Sequence, residues 1–230
     1  IGIDIGAHST KIGVVQINGE LVEKELVESN NMPAQGISLE ELCAKIENII
    51  EKYGFDRLLG IGVGISGMVD PDGGKVIFCP NISGWDGVNV CEILKKRFSV
   101  PVFLDTSFRC MALAEQWFGI GKGIKNQIFI SIGYSIGAGI IIDSKIFRGN
   151  GGFSGELGHV QVEESGVRCT CGNYGCLELY ATLPVIFGRI ANNLAEFKGY
   201  SPLKNIMDNS GYFDKNDLIQ ALQDGDKIVY

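Results

Sequence analysis

Residues 155–178 read GELGHVQVEESGVRCTCGNYGCLE. Nine residues separate His159 from the pair Cys169 and Cys171, and four more separate that pair from Cys176. Zinc prefers soft thiolates and imidazole in a tetrahedral shell. Gly172 and Gly175 free the backbone to turn, so that Cys171 and Cys176 can face one ion. Only two histidines occur in the chain, and one of them falls here. His159, Cys169, Cys171 and Cys176 therefore read as a zinc site. With all four positions filled by protein, the zinc is structural rather than hydrolytic. The alternative is three buried thiols beside an incidental histidine. The other four cysteines, Cys43, Cys79, Cys91 and Cys110, are scattered through apolar or helical contexts and outline no disulfide framework.

Outward from this segment, strand and helix patterns alternate. Residues 1–6, 11–17 and 20–28 read as three strands joined by tight turns, with Asn18-Gly19 a hairpin signal. Residues 38–54 form an amphipathic helix pattern with Ser38 as N-cap and Glu41 three residues on, as in a capping box. A buried strand over 58–65 runs into a glycine-rich turn. Residues 100–105 are another strand, and a helix pattern follows from Phe108 to Gly119. Residues 126–143 read as two strands joined by a tight glycine turn, and 183–197 as a later helix. The last residues, DLIQALQDGDKIVY, read as a helix followed by the start of another. This alternation predicts an α/β fold. Two lobes, 1–118 and 119–230, fit the pattern. Ile1 is already strand-like and the far end lacks a cap or turn signal, so sequence is expected to continue on both sides.

Composition narrows the partners. The 230 residues are 45% hydrophobic, enough for a real core. No apolar run reaches the roughly 18 residues of a membrane span, and no signal-peptide pattern opens the chain, so the expected location is the cytoplasm, away from membrane. The net charge is −7, and no Lys/Arg block is long enough to track a phosphate backbone, so this chain alone is not expected to bind nucleic acid.

The GELGH stretch and the CTCGNYGCLE stretch, with the nine-residue gap between them, resemble the signature of the ROK family of repressors, open reading frames and sugar kinases. The resemblance covers essentially the whole chain. IGIDIGAHSTKIGVV is similar to the family's first phosphate loop, GVGISGMVDPDGG to its sugar-side glycine turn, LDTSFRCMALAE to its catalytic segment, and SIGYSIGAGIII to its second phosphate loop. It implies the actin-like, ribonuclease H-like fold, two α/β lobes around a cleft. It also implies sugar contacts at Gly67, Thr106, Ser107, Glu156, His159 and Glu178. Carboxylates accept hydrogen bonds from paired hydroxyls, and a zinc-bound imidazole offers its second nitrogen as a fixed donor. The family core runs further than this chain, and its later glycine-rich adenosine contact is absent here. Family members commonly form homo-oligomers.

The departures from the family's kinase pattern decide between its branches. Sugar phosphorylation needs a base to take the hydroxyl proton. Family kinases carry E-N-D-x-N before the A-L-A-E helix, the Asp being the base. Anchored on Ala112–Glu115, the Asp position holds Ser107 and the Asn before it Thr106. Asp105 takes the role only if the register slips by two residues; otherwise it is a polar residue at a strand end. In the first phosphate loop Asp4 and Gly6 survive but Ala7 and His8 follow, and the second reads Gly133-Tyr134-Ser135-Ile136-Gly137 where the family has G-T-G-x-G. These losses favour the sugar-binding effector domain of a transcription regulator, with DNA contacted only through a helix-turn-helix segment outside this chain. The alternatives are an ATP- and Mg²⁺-dependent kinase for glucose or an N-acetylhexosamine, and a sugar-binding protein with neither DNA nor ATP function.

Overall fold

The computed structural model describes residues 1–28 and 36–229. Its elements run β1 (Gly2–Ile5), β2 (Ser9–Val15), β3 (Leu21–Glu28), α1 (Leu39–Tyr53), β4 (Ile61–Ile65), β5 (Met68–Asp70), β6 (Lys75–Phe78), α2 (Val90–Phe98), β7 (Val102–Thr106), α3 (Ser107–Phe118), β8 (Gln127–Ile132), β9 (Ile136–Ile142), β10 (Lys145–Ile146), α4 (Glu178–Ala181), α5 (Leu183–Glu196), α6 (Pro202–Ser210) and α7 (Lys215–Gln223). Strands alternate with helices, and the fold is mixed α/β.

The largest sheet has the order β3-β2-β1-β4-β7. β1 to β3 form an antiparallel meander, while β1, β4 and β7 run parallel. The meander turns where Asn18-Gly19 predicts it: Gly19 takes a φ of 90° and its N–H donates to the Gln16 carbonyl. Parallel strands need helical crossovers, and α1 and α2 supply them. In α1 the Ser38 hydroxyl accepts from the Glu41 N–H, half of the predicted capping box. Leu42, Cys43 and Ile46 of α1 pack on Ile3, Ile5, Val63 and Ile65 of the sheet in one buried cluster. Trp85 is buried there too, its indole N–H donating to the Ile37 carbonyl at 2.9 Å.

Two compact units divide the chain: Ile1–Ile130 with Gly137–Glu156, and Ser131–Ile136 with Leu157–Tyr230. The second has its own small core of Ile190, Leu194, Leu203, Phe213, Leu218 and Ala221. Phe187 stacks on Phe213 at its edge, 5.2 Å between ring centres. After α7, residues 227–229 form a turn in which Asp226 accepts from the Ile228 N–H at 3.1 Å, while its other oxygen accepts from the Ser201 hydroxyl at 2.6 Å. No described helix is long and apolar enough to cross a membrane.

Candidate metal centre and ligand-binding residues

Between Leu157 and Glu178 the chain has almost no regular structure. It has a 3-10 turn, Leu157–His159, two isolated bridges, Gln161 with Cys176 and Arg168 with Tyr174, and a few turn hydrogen bonds such as Cys169 N–H to the Asn173 carbonyl at 2.8 Å. Within this loop one ligand atom from each of His159, Cys169, Cys171 and Cys176 lies within 4.8 Å of the others. His159 Nδ1 is 3.6 Å from Cys169 Sγ, and Cys171 Sγ is 3.7 Å from Cys176 Sγ. Tetrahedral zinc with bonds of about 2.3 Å to sulfur and about 2.0 Å to nitrogen needs edges of about 3.8 and 3.5 Å. The donor set and its spacing are thus compatible with a structural zinc ion. Cys169 and Cys176 are buried and Cys171 is exposed. Burial pushes the Cys169 thiol up to about 12 and raises that of Cys176, whereas the Asn173 backbone N–H lowers that of Cys171.

Glycine closes the loop. Gly175 has a φ of 67°, and a Cβ there would fall on the Glu163 backbone carbonyl. Its N–H donates to the Val167 carbonyl at 2.8 Å, one residue before Cys176. Gly175→Ala is expected to cost at least about 1–3 kcal/mol from the left-handed backbone alone. A competition titration with a chromophoric chelator should find zinc held at least about tenfold more weakly. Unchanged affinity would mean that the loop can refold around a different turn.

Glu178 heads the one-turn helix α4, beside the cluster. Its Oε1 accepts from the Cys169 thiol at 3.0 Å and lies 3.5 Å from His159 Nδ1. A cation held by His159 would therefore sit next to a carboxylate. His159 Nδ1 faces the thiols, so Nε2 is the nitrogen on the far side of the ring from the cluster.

The other predicted residues lie in the first unit. Glu156 is exposed at its end. Gly67 lies in the turn after β4, where a Cβ would press on the Phe78 carbonyl and on Cys79. Thr106 ends β7 and caps α3, its hydroxyl accepting from the Arg109 N–H at 3.4 Å. Ser107 is the first residue of α3. It is 4% exposed and donates its hydroxyl proton to Asp4 Oδ1 at 2.6 Å. Asp4 also meets Lys11 at 3.4 Å. Beyond Asp4, the Gly6 N–H donates to the Ser9 carbonyl, so this loop bonds one of its own amides. The ring of Phe108 lies against Gly137, where a Cβ would fall inside the ring.

Asp105 is 7% exposed at the end of β7. Its Oδ1 accepts from Arg109 Nη1 at 3.1 Å and its Oδ2 from Arg148 Nη2 at 2.6 Å. Both oxygens are committed to guanidinium groups. Neither arginine was singled out in the sequence. The available signal was Arg109 itself, a charge four residues after Asp105 on the otherwise apolar start of a helix.

A family model described as "ROK family" matches residues 1–226. The "Xylose repressor" of Caldicellulosiruptor bescii is 32% identical over 234 residues, covering 99% of this chain and 57% of that protein. Among solved structures, a ROK family transcriptional regulator, a homologue of the E. coli MLC protein, matches at a TM-score of 0.82 and 27% identity, over 99% of this chain and 56% of that one. A ROK family glucokinase from Streptomyces griseus, in complex with glucose and AMPPNP, matches at 0.80 and 28%, over 99% and 72%. The chain spans about half the length of the curated relatives it matches.

Proposed function

The chain belongs to the ROK family, and from that premise we propose that it is the sugar-binding effector domain of a transcription regulator and transfers no phosphoryl group. The observation that carries this reading is the state of the base position. A kinase base must be an acceptor open to the sugar hydroxyl. Ser107 is buried at a helix start and spends its proton on Asp4. Asp105, the only acid that a shifted register would offer, is held by two arginines. Neither arrangement presents an unengaged carboxylate at the base position. The sequence similarity to a xylose repressor points the same way.

In this reading the sugar contacts are Gly67, Thr106, Ser107 and Glu156 of the first unit and His159 and Glu178 of the second. Zinc on His159, Cys169, Cys171 and Cys176 supplies the loop's rigidity when bound; the protein's own side chains do the recognising. DNA is contacted by a helix-turn-helix segment outside these residues, in a cytoplasmic homo-oligomer.

The test uses the full-length parent protein, a panel of hexoses and pentoses, calorimetry for binding, and ADP release for turnover. The expected result is saturable binding of at least one sugar without ADP release. Sugar-dependent ADP release at rates near the ~1–100 s⁻¹ of kinases would overturn the reading and make the chain a sugar kinase. Ser107→Asp run alongside places a second carboxylate against Asp4, which favours a shared proton over a free base. ADP release by that variant alone would show that only the base has been lost.

A further inference from the structure

Residues 148–156 read RGNGGFSGE. Four of them are glycines with left-handed backbones: Gly149 (φ 68°), Gly151 (71°), Gly152 (81°) and Gly155 (91°). Glycine loses more conformational freedom on folding than any other residue. A segment this rich in it keeps one shape only where other groups tie it down.

The ties converge on one buried cluster. Arg109, 1% exposed on α3, donates from Nη2 to the carbonyls of Gly152 at 2.5 Å and Ser154 at 3.3 Å. From Nη1 it donates to Asp105 at 3.1 Å. Asp105 in turn accepts at 2.6 Å from Arg148, the first residue of the loop. Asp105 and Arg109 thus grip the loop near both ends, by a side chain at Arg148 and by backbone at Gly152 and Ser154. The loop also closes on itself. The Ser154 N–H donates to the Arg148 carbonyl at 3.1 Å, and the Ser154 hydroxyl to the Phe147 carbonyl. On the β9 side the Gly155 carbonyl accepts from the Ala138 N–H at 2.7 Å. The next residue is Glu156.

We infer that Asp105, Arg109 and Arg148 are positioning residues for ligand binding: they fix the glycine loop and, through it, the carboxylate of Glu156. This rests on the proposal above that Glu156 meets the sugar. A merely structural ion-pair cluster is distinguishable through Arg148. Its side chain is 43% exposed, and its removal leaves Asp105 paired with buried Arg109. Stability then changes little, while one end of the loop comes free.

The experiment takes the zinc-loaded parent protein and three variants, Arg148→Ala, Glu156→Gln and the double substitution. It measures amide hydrogen exchange over 149–155 and affinity for whichever sugar the unmodified protein binds tightest. Arg148→Ala is expected to speed exchange in that loop by at least about tenfold, with the strands of the large sheet unchanged. It should also weaken the sugar by at least about tenfold, yet add less than about twofold in the Glu156→Gln background, because both changes act on the same contact. Arg148→Lys, which keeps one charge on Asp105, should recover part of the affinity. Unchanged exchange in Arg148→Ala overturns the inference alone, as do additive losses in the double variant. Faster exchange with unaltered affinity overturns it too, since the loop is then held for some other purpose. An unmodified protein that binds no sugar at all overturns the reading of Glu156 itself.

Discussion

Asp105→Ala is expected to lower the free energy of unfolding by about 3–5 kcal/mol, because it leaves a buried guanidinium without its carboxylate. The expectation is specific to which partner is removed. Arg109 is 1% exposed, so without Asp105 its charge keeps only the carbonyls of Gly152 and Ser154. Arg109→Met removes the buried cation instead. Asp105 then still has Arg148, and the cost should be visibly smaller. Arg148→Ala removes the partly exposed partner and should cost under about 1 kcal/mol. For a chain of this size each kcal/mol moves the melting temperature by about 2–4 °C. The order Asp105→Ala, Arg109→Met, Arg148→Ala is therefore resolvable by calorimetry on zinc-loaded, ligand-free protein. Equal losses in all three would mean that water reaches Arg109 and that the cluster is not buried in solution. Reversing the first two would place the burden on Asp105 rather than on the guanidinium.

The same cluster shows where sequence reasoning stops. From sequence Asp105 is a strand-end residue or a displaced base, since its local context permits nothing sharper. What defines it is Arg148, 43 positions away and brought back by β8 to β10. Ser107 and Asp4 are 103 positions apart and meet only because β1, β4 and β7 run side by side. Spacing along the chain carries no sign of either pairing. The cluster of His159, Cys169, Cys171 and Cys176 is legible for the opposite reason: its four members fall within 18 residues, and thiols with an imidazole at such spacing point to one another before any fold is known. Long elements were legible by period, as in α1, where Leu42, Cys43 and Ile46 form a buried stripe. The short ones were not. β5 has three residues and β6 four, too few for an alternation to register, although Asp70 turns the hairpin by accepting from the Gly73 N–H. α2 and α6 each span nine residues, too short for an apolar period to stand out, although Asn89 caps the first and Ser201, Pro202 and Gly211 bound the second.

Where zinc fills the cluster of His159, Cys169, Cys171 and Cys176, its removal is expected to unfold residues 157–178 while the large sheet survives. The reason lies in what this loop buries. Val160, Val162, Val167 and Tyr174 are all about half exposed or more, so apolar burial contributes little to holding its shape. Neither helix nor strand ladder takes over that task. A few backbone hydrogen bonds, such as Val162 N–H to the Gly175 carbonyl and Cys169 N–H to the Asn173 carbonyl, both at 2.8 Å, hold its turns, and the ligand set is the larger contribution, since zinc in comparable closed sites supplies about 10–16 kcal/mol of apparent binding free energy. Cys176→Ala, which deletes a fully buried ligand, should bring zinc well below one per chain and open 157–178 to protease. Cys171→Ser should do less, because its exposed position lets water complete the shell. In both, the transition of the β3-β2-β1-β4-β7 sheet should persist, since its core shares no residue with the cluster. Sugar affinity decides what the zinc is for. If His159 and Glu178 meet the ligand, metal-depleted protein loses binding by at least about a hundredfold, the loss expected when a ligand-bearing shell is disordered. If affinity survives while the loop is cut by protease, the zinc loop is scaffolding for something other than the sugar. The contacts would then belong to Glu156 and the first unit alone.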